Sequence, residues 1–187
     1  ARRRICCRPL SLGMHRPMNT LLRGALLAAL AVALHGCANY QPQQIRPGQS
    51  EAEVLGLMGK PTGRYPGPQG QTRLEFATGP YGRVTWMVDF DAAGKVLGWD
   101  QVLDEAHFTR VQLNYQGKDQ QWLRYTLGRP GEVRGGGWQG GQVWSWRYPT
   151  NECLWYQVSI LDDGLLRDGG AYGIDPRCDP PSPSGRR

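Results

Sequence analysis

The chain contains two copies of one pattern of helix signals, separated by 69 residues. In the first copy, Gly48 and Ser50 precede a helical segment that ends at residues 59–61, Gly-Lys-Pro. In the second copy, Gly117 and Asp119 precede a segment that ends at residues 128–130, Gly-Arg-Pro. Because one offset preserves the start, the apolar face and the end of the helix, the sequence predicts two copies of one structural unit.

Each copy predicts a helix followed by three strands. Ser50 and Glu53 form a capping box at the first helix start, and each helix has one apolar face, formed by Val54, Leu57 and Met58 and then by Leu123 and Leu127. Glycine-rich loops are predicted at 62–72 and 131–141. The strand-like runs are residues 73–78, 83–90 and 95–103, and then 142–148, 153–161 and 165–172. The predicted fold is α+β, a tandem repeat of a helical segment plus a three-stranded antiparallel meander.

The alignment of the copies gives three further expectations. In residues 84–90, apolar side chains alternate with Thr85, Met87 and Asp89, which predicts a sheet with one buried face. The offset aligns Trp86 with Trp155 in the core and places a one-residue insertion after them. A unit of about 60–70 residues is marginally stable alone, so we expect the copies to pack against each other.

The N-terminal part has the features of a secretory signal. Arg23 precedes an apolar run at residues 25–34, which is shorter than the roughly twenty residues that a spanning helix needs. Residues 34–37, Leu-His-Gly-Cys, resemble the lipobox of bacterial lipoproteins, in which the cysteine becomes the acylated N-terminus. The alternatives are an uncleaved membrane helix and a buried core helix.

These features set the predicted boundaries. Residues 1–36 form an upstream extension and a signal peptide that are removed, with Met18 or Met14 as the start residue. Residues 37–46 form a lipidated tether, 47–107 the first unit, 108–179 the second unit, and 180–187 a disordered tail rich in Pro, Ser and Gly.

The charge of the chain does not indicate a nucleic-acid partner. The formal charge of +6 comes from 22 Lys and Arg against 16 Asp and Glu. Six arginines and no acidic residue precede Cys37, so the remainder is formally neutral. A basic balance would have favoured nucleic acid or an anionic membrane surface as a partner, and the neutral remainder removes that argument, so we expect no nucleic-acid partner.

Two cysteines remain after Cys37, namely Cys153 and Cys178. An exported chain meets oxidising conditions, and an even number of cysteines there predicts a disulfide. The alternative is a pair of free, buried thiols.

The residues after Cys37 offer few candidates for chemistry. They contain one histidine, His107, and no Gly-x-Ser-x-Gly, Cys-x-x-Cys or His-x-x-x-His pattern. We therefore expect no catalysis, no metal or other cofactor, and no small-molecule substrate. Four aromatic residues form the remaining signal, namely Trp138, Trp144, Trp146 and Tyr148. They are a candidate partner surface, because aromatic residues are enriched in interfaces, or they are buried against a helix.

Three segments resemble one known family: residues 45–54 with Ile45, Gly48, Ser50 and Val54, residues 57–61 (Leu-Met-Gly-Lys-Pro), and residues 88–94 (Val-Asp-Phe-Asp-x-x-Gly). Together with the lipobox-like motif they resemble the BamE (SmpA/OmlA) family of outer-membrane lipoproteins. The resemblance covers residues 45–172, but the usual member carries one unit, and the second copy matches less well. It implies a helix–helix–three-strand domain that assists the machinery inserting β-barrel proteins into the outer membrane. Two units side by side also resemble the architecture of β-lactamase inhibitor protein.

The resemblance implies a non-catalytic lipoprotein on the periplasmic side of the outer membrane. It would be held by N-terminal acyl chains and act as a binding or scaffold component in outer-membrane protein assembly or envelope maintenance, with barrel-assembly subunits as partners. The alternatives are a periplasmic inhibitor or receptor-like protein that uses the tandem-sheet surface, and a periplasmic hydrolase with an unrecognised site.

Replacing Cys37 tests the anchor. Stable anchoring takes more than one acyl chain, and Ala38 stands where an inner-membrane retention signal would place Asp, so we predict the outer membrane. Cys37→Ala should move the protein to the soluble periplasmic fraction or leave it unprocessed. Labelling with an alkyne fatty acid and membrane fractionation measure both effects, and unchanged labelling and location would contradict the prediction.

Overall fold

The structure, a computed structural model, describes residues 42–78, 83–136 and 140–178. Three α-helices occur in these ranges: α1 (Glu51–Met58), α2 (Glu105–Asn114) and α3 (Gln120–Leu127). A short 3₁₀ turn at Pro42–Gln44 precedes α1. Within these ranges, no helix combines the length and the apolar character that a membrane crossing requires.

The strands form two antiparallel sheets of four strands each, joined in the orders β1-β2-β3-β4 and β5-β6-β7-β8. Their bounds are β1 Gly63–Pro66, β2 Thr72–Thr78, β3 Val84–Phe90, β4 Val96–Gln101, β5 Glu132–Gly135, β6 Gln142–Arg147, β7 Leu154–Ile160 and β8 Ala171–Ile174. The prediction of α+β units is correct, but the three-stranded meander is wrong. Each segment predicted as a glycine-rich loop contains a strand that pairs with the next one, as Gly63 does with Glu75. In each segment, the glycines and the short length of the strand weaken the residue pattern by which a strand is predicted.

Helix α1 begins and ends at the predicted residues. The Ser50 side chain accepts a hydrogen bond from the Glu53 N–H, and the Ser50 N–H donates to the Glu53 carboxylate at 2.7 Å. Asp119 caps α3 through its own side chain. Both helices stop at a glycine with positive φ, +75° at Gly59 and +79° at Gly128, a conformation that side chains with a Cβ disfavour.

The first turn of α1 and that of α3 are joined to their sheets by the same bond. The Glu51 N–H donates to the Gly94 carbonyl at 3.2 Å, and the Gln120 N–H donates to the Gly164 carbonyl at 2.9 Å. These N–H groups have no partner inside their own helices, so the turn before the last strand satisfies them. The repeat predicted from the sequence is therefore present as equivalent hydrogen bonds.

The predicted alignment of Trp86 with Trp155 is wrong by one residue. Trp86 pairs with Phe76 in the first sheet, and the equivalent pair in the second sheet is Tyr156 with Trp146, an offset of 70. The inserted residue of the second unit therefore lies between β5 and β6, and not after Trp155 as the sequence alignment predicted. Trp155 corresponds instead to Thr85.

Two of the predicted unit boundaries differ from those in the structure. Ile45 is fully buried in the first core, so the ordered unit begins inside the segment predicted as the tether. Helix α2 starts after its N-cap Asp104, and the predicted boundary between residues 107 and 108 cuts through it. Because Phe108 and Val111 pack in the core of the second unit, the boundary lies before Asp104.

The described residues form two hydrophobic cores. The first lies between α1 and one face of the first sheet, with Leu74, Val88 and Phe90 fully buried. The second lies between α2, α3 and the second sheet, and it also contains Met87 from the first unit. Both faces of β3 are thus buried, so the prediction of one buried face is wrong and the prediction that the copies pack together is confirmed.

The structure brings Cys153 and Cys178 within disulfide-bonding distance, with Cα atoms 6.1 Å apart, inside the range of natural disulfides. The Asp175 N–H donates to the Cys153 carbonyl at 2.8 Å, which holds the last described turn beside the start of β7. In the same turn, the Arg147 guanidinium donates hydrogen bonds to the buried Asp175 carboxylate. These hydrogen bonds lower the pKa of the Asp175 carboxyl.

The predicted disulfide would span a sequence separation of 25 residues. Closing a loop of this length lowers the entropy of the unfolded chain, so replacing both cysteines by serine should reduce the free energy of unfolding by about 3 kcal/mol. Urea unfolding of both forms measures the difference. Two alkylatable thiols in the mature, unreduced protein, detected by mass spectrometry, would rule out the bond.

Candidate binding groove at the junction of the two units

Three of the four aromatic residues predicted as a partner surface are buried in the structure. Trp144 and Trp146 are each 1% exposed and Tyr148 is 4% exposed. They lie in the second core, where the Tyr148 ring packs edge-on against Phe108 with centroids 5.1 Å apart. Their face of β6 is covered by α2 and α3, so the buried alternative is correct. Trp138 and the predicted lipidation site Cys37 lie outside the described residues.

His107 has a structural role in the fold. Its Nδ1 lies 2.8 Å from the Asp104 carboxylate, and its Nε2 lies 3.1 Å from the Asp100 carboxylate. The nearly buried imidazole thereby joins the end of β4 to the first turn of α2. In the described ranges, no group of three or more His, Cys, Asp or Glu side chains is placed to hold a metal ion.

The C-terminal end of α3 lies on the second face of the first sheet. Arg73 donates to both carboxylate oxygens of Asp89, at 2.6 and 2.7 Å, and its third nitrogen donates to the Tyr125 carbonyl at 3.0 Å. The guanidinium also covers the Tyr125 ring, 4.5 Å from the centroid. A cation at the last carbonyls of a helix satisfies groups that lack partners in the helix and complements its dipole.

Glu75 forms the centre of this junction and is fully buried. Its carboxylate accepts hydrogen bonds from the Thr62 hydroxyl at 3.0 Å, from the Tyr65 hydroxyl, and from the Arg129 N–H at 3.2 Å. Gly128 fits against it closely, since a Cβ there would lie 3.1 Å from the Glu75 carboxyl carbon. The carboxylate of one unit therefore binds the chain directly after α3 of the other unit.

Burial and neighbouring groups raise the pKa of Tyr65 and of Arg73 in this junction. Burial and the hydrogen bond to Glu75 raise the pKa of Tyr65 well above its usual value, so its hydroxyl keeps its proton and remains a donor. Burial alone would lower the pKa of Arg73, but the hydrogen bonds and charge of Asp89 outweigh it and raise that pKa. Tyr65 and Arg73 therefore act as hydrogen-bond donors in the junction.

Beside the junction is an apolar groove with a volume of about 400 Å³. The turn between β1 and β2 forms one wall and α3 forms the other, and the lining residues are Tyr65, Pro66, Gly67, Pro68, Gln121, Trp122, Arg124 and Tyr125. The Arg124 guanidinium, the charged group among them, lies 4.6 Å above the Trp144 ring. Aromatic rings, prolines and one arginine can bind an apolar segment, and none of these groups is a nucleophile paired with a base.

Sequence reasoning did not identify Glu75, Tyr65 or Tyr125. Glu75 alternates with Leu74 and Phe76, which places it on the face expected to meet solvent. Only the docking of α3 on that face makes the residue buried and important. The one available signal was a carboxylate between two apolar residues, Leu74 and Phe76.

Comparisons with known proteins give limited information. No protein-family model matches the sequence, and no curated protein matches it. Among solved structures, the chain is similar to one described as a putative osmotically inducible lipoprotein, OsmE, with 25% identity and a TM-score of 0.30. The match covers 34% of this chain and 75% of that one. At this TM-score, neither the fold nor the function of the chain follows from the similarity.

Replacing Glu75 by alanine should weaken the whole junction. The change removes the acceptor of the Tyr65 hydroxyl and the Arg129 N–H and one of the two acceptors of the Thr62 hydroxyl, so the free energy of unfolding should fall by about 3 kcal/mol. Glu75→Gln keeps an acceptor and should cost less, and Glu152→Ala, at an exposed position, should stay within about 0.5 kcal/mol. Equal stability of Glu75→Ala and Glu152→Ala in urea unfolding would contradict this account.

Proposed function

We propose that this protein is a BamE-like, lipid-anchored binding or scaffold protein without catalytic activity. In this proposal, acyl chains on Cys37 hold it on the periplasmic side of the outer membrane, where it acts in outer-membrane protein assembly or envelope maintenance. The lipobox-like motif and the segments at residues 45–54, 57–61 and 88–94 support the family and the location. The groove between the units supports the binding role.

The groove is the single observation that carries the proposal, because it exists only where the units meet. One wall comes from Tyr65 and its neighbours in the first unit and the other from Trp122 and Tyr125 in the second. Tyr, Trp and Arg are the residue types that contribute most binding energy in protein interfaces. The occupant we propose is an apolar segment of a partner protein, with an acidic or neutral group beside Arg124.

Anchoring at the membrane would compensate for a low affinity of the groove. A partner in the same membrane system meets the groove at a high effective concentration, so weak contacts suffice for a stable complex. The chain's role would then be to present the groove at the membrane and to hold the partner there. This mechanism requires both units, because neither unit alone has both walls.

Site-specific photocrosslinking in cells tests the partner. A crosslinking amino acid at Gln121, an exposed residue of the groove, should capture one or more barrel-assembly subunits, identified by mass spectrometry. The same amino acid at Arg110, exposed on α2, should not capture them. Capture of one soluble periplasmic enzyme would favour the inhibitor alternative, and identical products at both positions would remove the groove from the proposal.

Complementation of a deletion strain tests the role. Tyr125→Ala removes a groove ring but keeps the carbonyl that Arg73 uses, and it should weaken partner binding about tenfold or more. It should leave cells sensitive to large or hydrophobic antibiotics, whereas Tyr115→Ala, also half-buried but outside the groove, should restore resistance.

His107→Ala should also complement, because the proposal gives His107 a structural role only. Antibiotic sensitivity and the amount of anchored protein are measured together for each variant. Loss of complementation by His107→Ala, with the protein still folded and anchored, would favour a hydrolase over a scaffold.

A further inference from the structure

The four edge strands of the two sheets differ in how they are protected. Unpaired edges can add a further strand, and natural proteins block them with charged residues or proline. Strand β1 carries Arg64 and Pro66, β4 carries Asp100, and β5 carries Glu132 and Arg134. Strand β8, Ala-Tyr-Gly-Ile, carries neither a charge nor a proline.

The outer edge of β8 is accessible in the part of the chain that the structure describes. Strand β8 is the last strand of its sheet and pairs there only with β7. Ala171 is exposed, Tyr172 is 40% exposed and Ile174 is 67% exposed. An apolar, uncharged edge with exposed side chains is suited to pairing with another extended chain.

The side chains of β8 extend an existing apolar surface. Tyr172 lies opposite Tyr156 in the sheet, and its ring packs near Phe108, with centroids 6.0 Å apart. Ile174, two residues further along, points to the same face. A strand added at this edge would place alternate side chains about 5 Å from Tyr172 and Ile174, so apolar residues at every second position would fit best.

We propose that β8 is a docking edge for an extended segment of a partner protein with apolar residues at every second position. Such a segment would form a fifth strand of the second sheet, bound by backbone hydrogen bonds. The chain's own tail is a poor occupant, because residues 180, 181 and 183 are prolines, which lack the N–H that a ladder needs. A second copy is also disfavoured, since pairing two four-residue strands buries far less than the roughly 1,200 Å² of a stable interface.

The kind of segment is consistent with the proposed function but does not depend on it. Strands of β-barrel membrane proteins alternate apolar and polar residues, so an unfolded barrel strand has the required pattern. The groove and this edge involve different residues, and each can be tested with the other intact.

A synthetic peptide provides the test. The probe is a capped octapeptide of alternating valine and threonine, and its control is the same peptide with alternate backbone amides N-methylated, which cannot form the ladder. With the intact mature domain, the unmodified peptide should bind and slow hydrogen exchange of the β8 amides, and the N-methylated peptide should do neither. Equal effects of the two peptides, or no slowing at β8, would overturn the proposal.

Matched variants locate the site. Ile174→Lys adds a charge at the edge and should weaken peptide binding about fivefold or more. Leu113→Lys, at a leucine that is 78% exposed on α2, should leave the affinity unchanged. Because both lysines replace exposed side chains, the variants should fold. An unchanged peptide affinity of Ile174→Lys would contradict the proposal. Without peptide, hydrogen exchange at β8 that slows as the protein concentration rises would also contradict it, and would indicate that a second copy pairs with β8.

Discussion

The buried carboxylate of Glu75 is the contact on which the arrangement of the two units depends. It accepts three hydrogen bonds, one of them from the backbone directly after α3, and Arg73 binds a carbonyl in the last turn of the same helix. These polar groups stabilise the junction only when each of them has its hydrogen-bond partner, because burying an unpaired charge lowers the stability of the fold. The polar contacts therefore fix where α3 lies, and the apolar residues around them supply the burial. The groove results from this placement, because α3 is one of its walls.

The second sheet has different side chains on the face that meets α3 in the first sheet. Its equivalent face has Trp155 where the first sheet has Thr85, and Arg147 where the first has Ala77. Two guanidinium groups lie near the centroid of the Trp155 ring, that of Arg134 at 4.8 Å and that of Arg147 at 4.9 Å. The hydrogen bonds from Asp175 raise the pKa of Arg147, which keeps its charge. These side chains lie on the face that corresponds to the one on which the end of α3 packs in the first unit.

The sequence was informative where local chemistry decides structure. Caps such as Ser50 and Asp119, and stops such as Gly59 and Gly128, were predictable because each satisfies backbone groups within a few residues. Strands β1 and β5 were missed because short, glycine-rich segments gain their stability from pairing. The groove and the burial of Glu75 could not be predicted, since both depend on the contact between units. The same contact buried Met87, which the period-two pattern had assigned to the solvent face.

The central claim is that the two units form one cooperative structure through the junction. Native-state hydrogen exchange of the mature domain in low concentrations of urea tests it directly, because it reports the free energy of opening for each strand. The account predicts that the slowest amides of β2 and β3 and those of β6 and β7 open with the same free energy and the same dependence on urea. Two distinct free energies, one for each sheet, would show that the units unfold independently and would contradict the account.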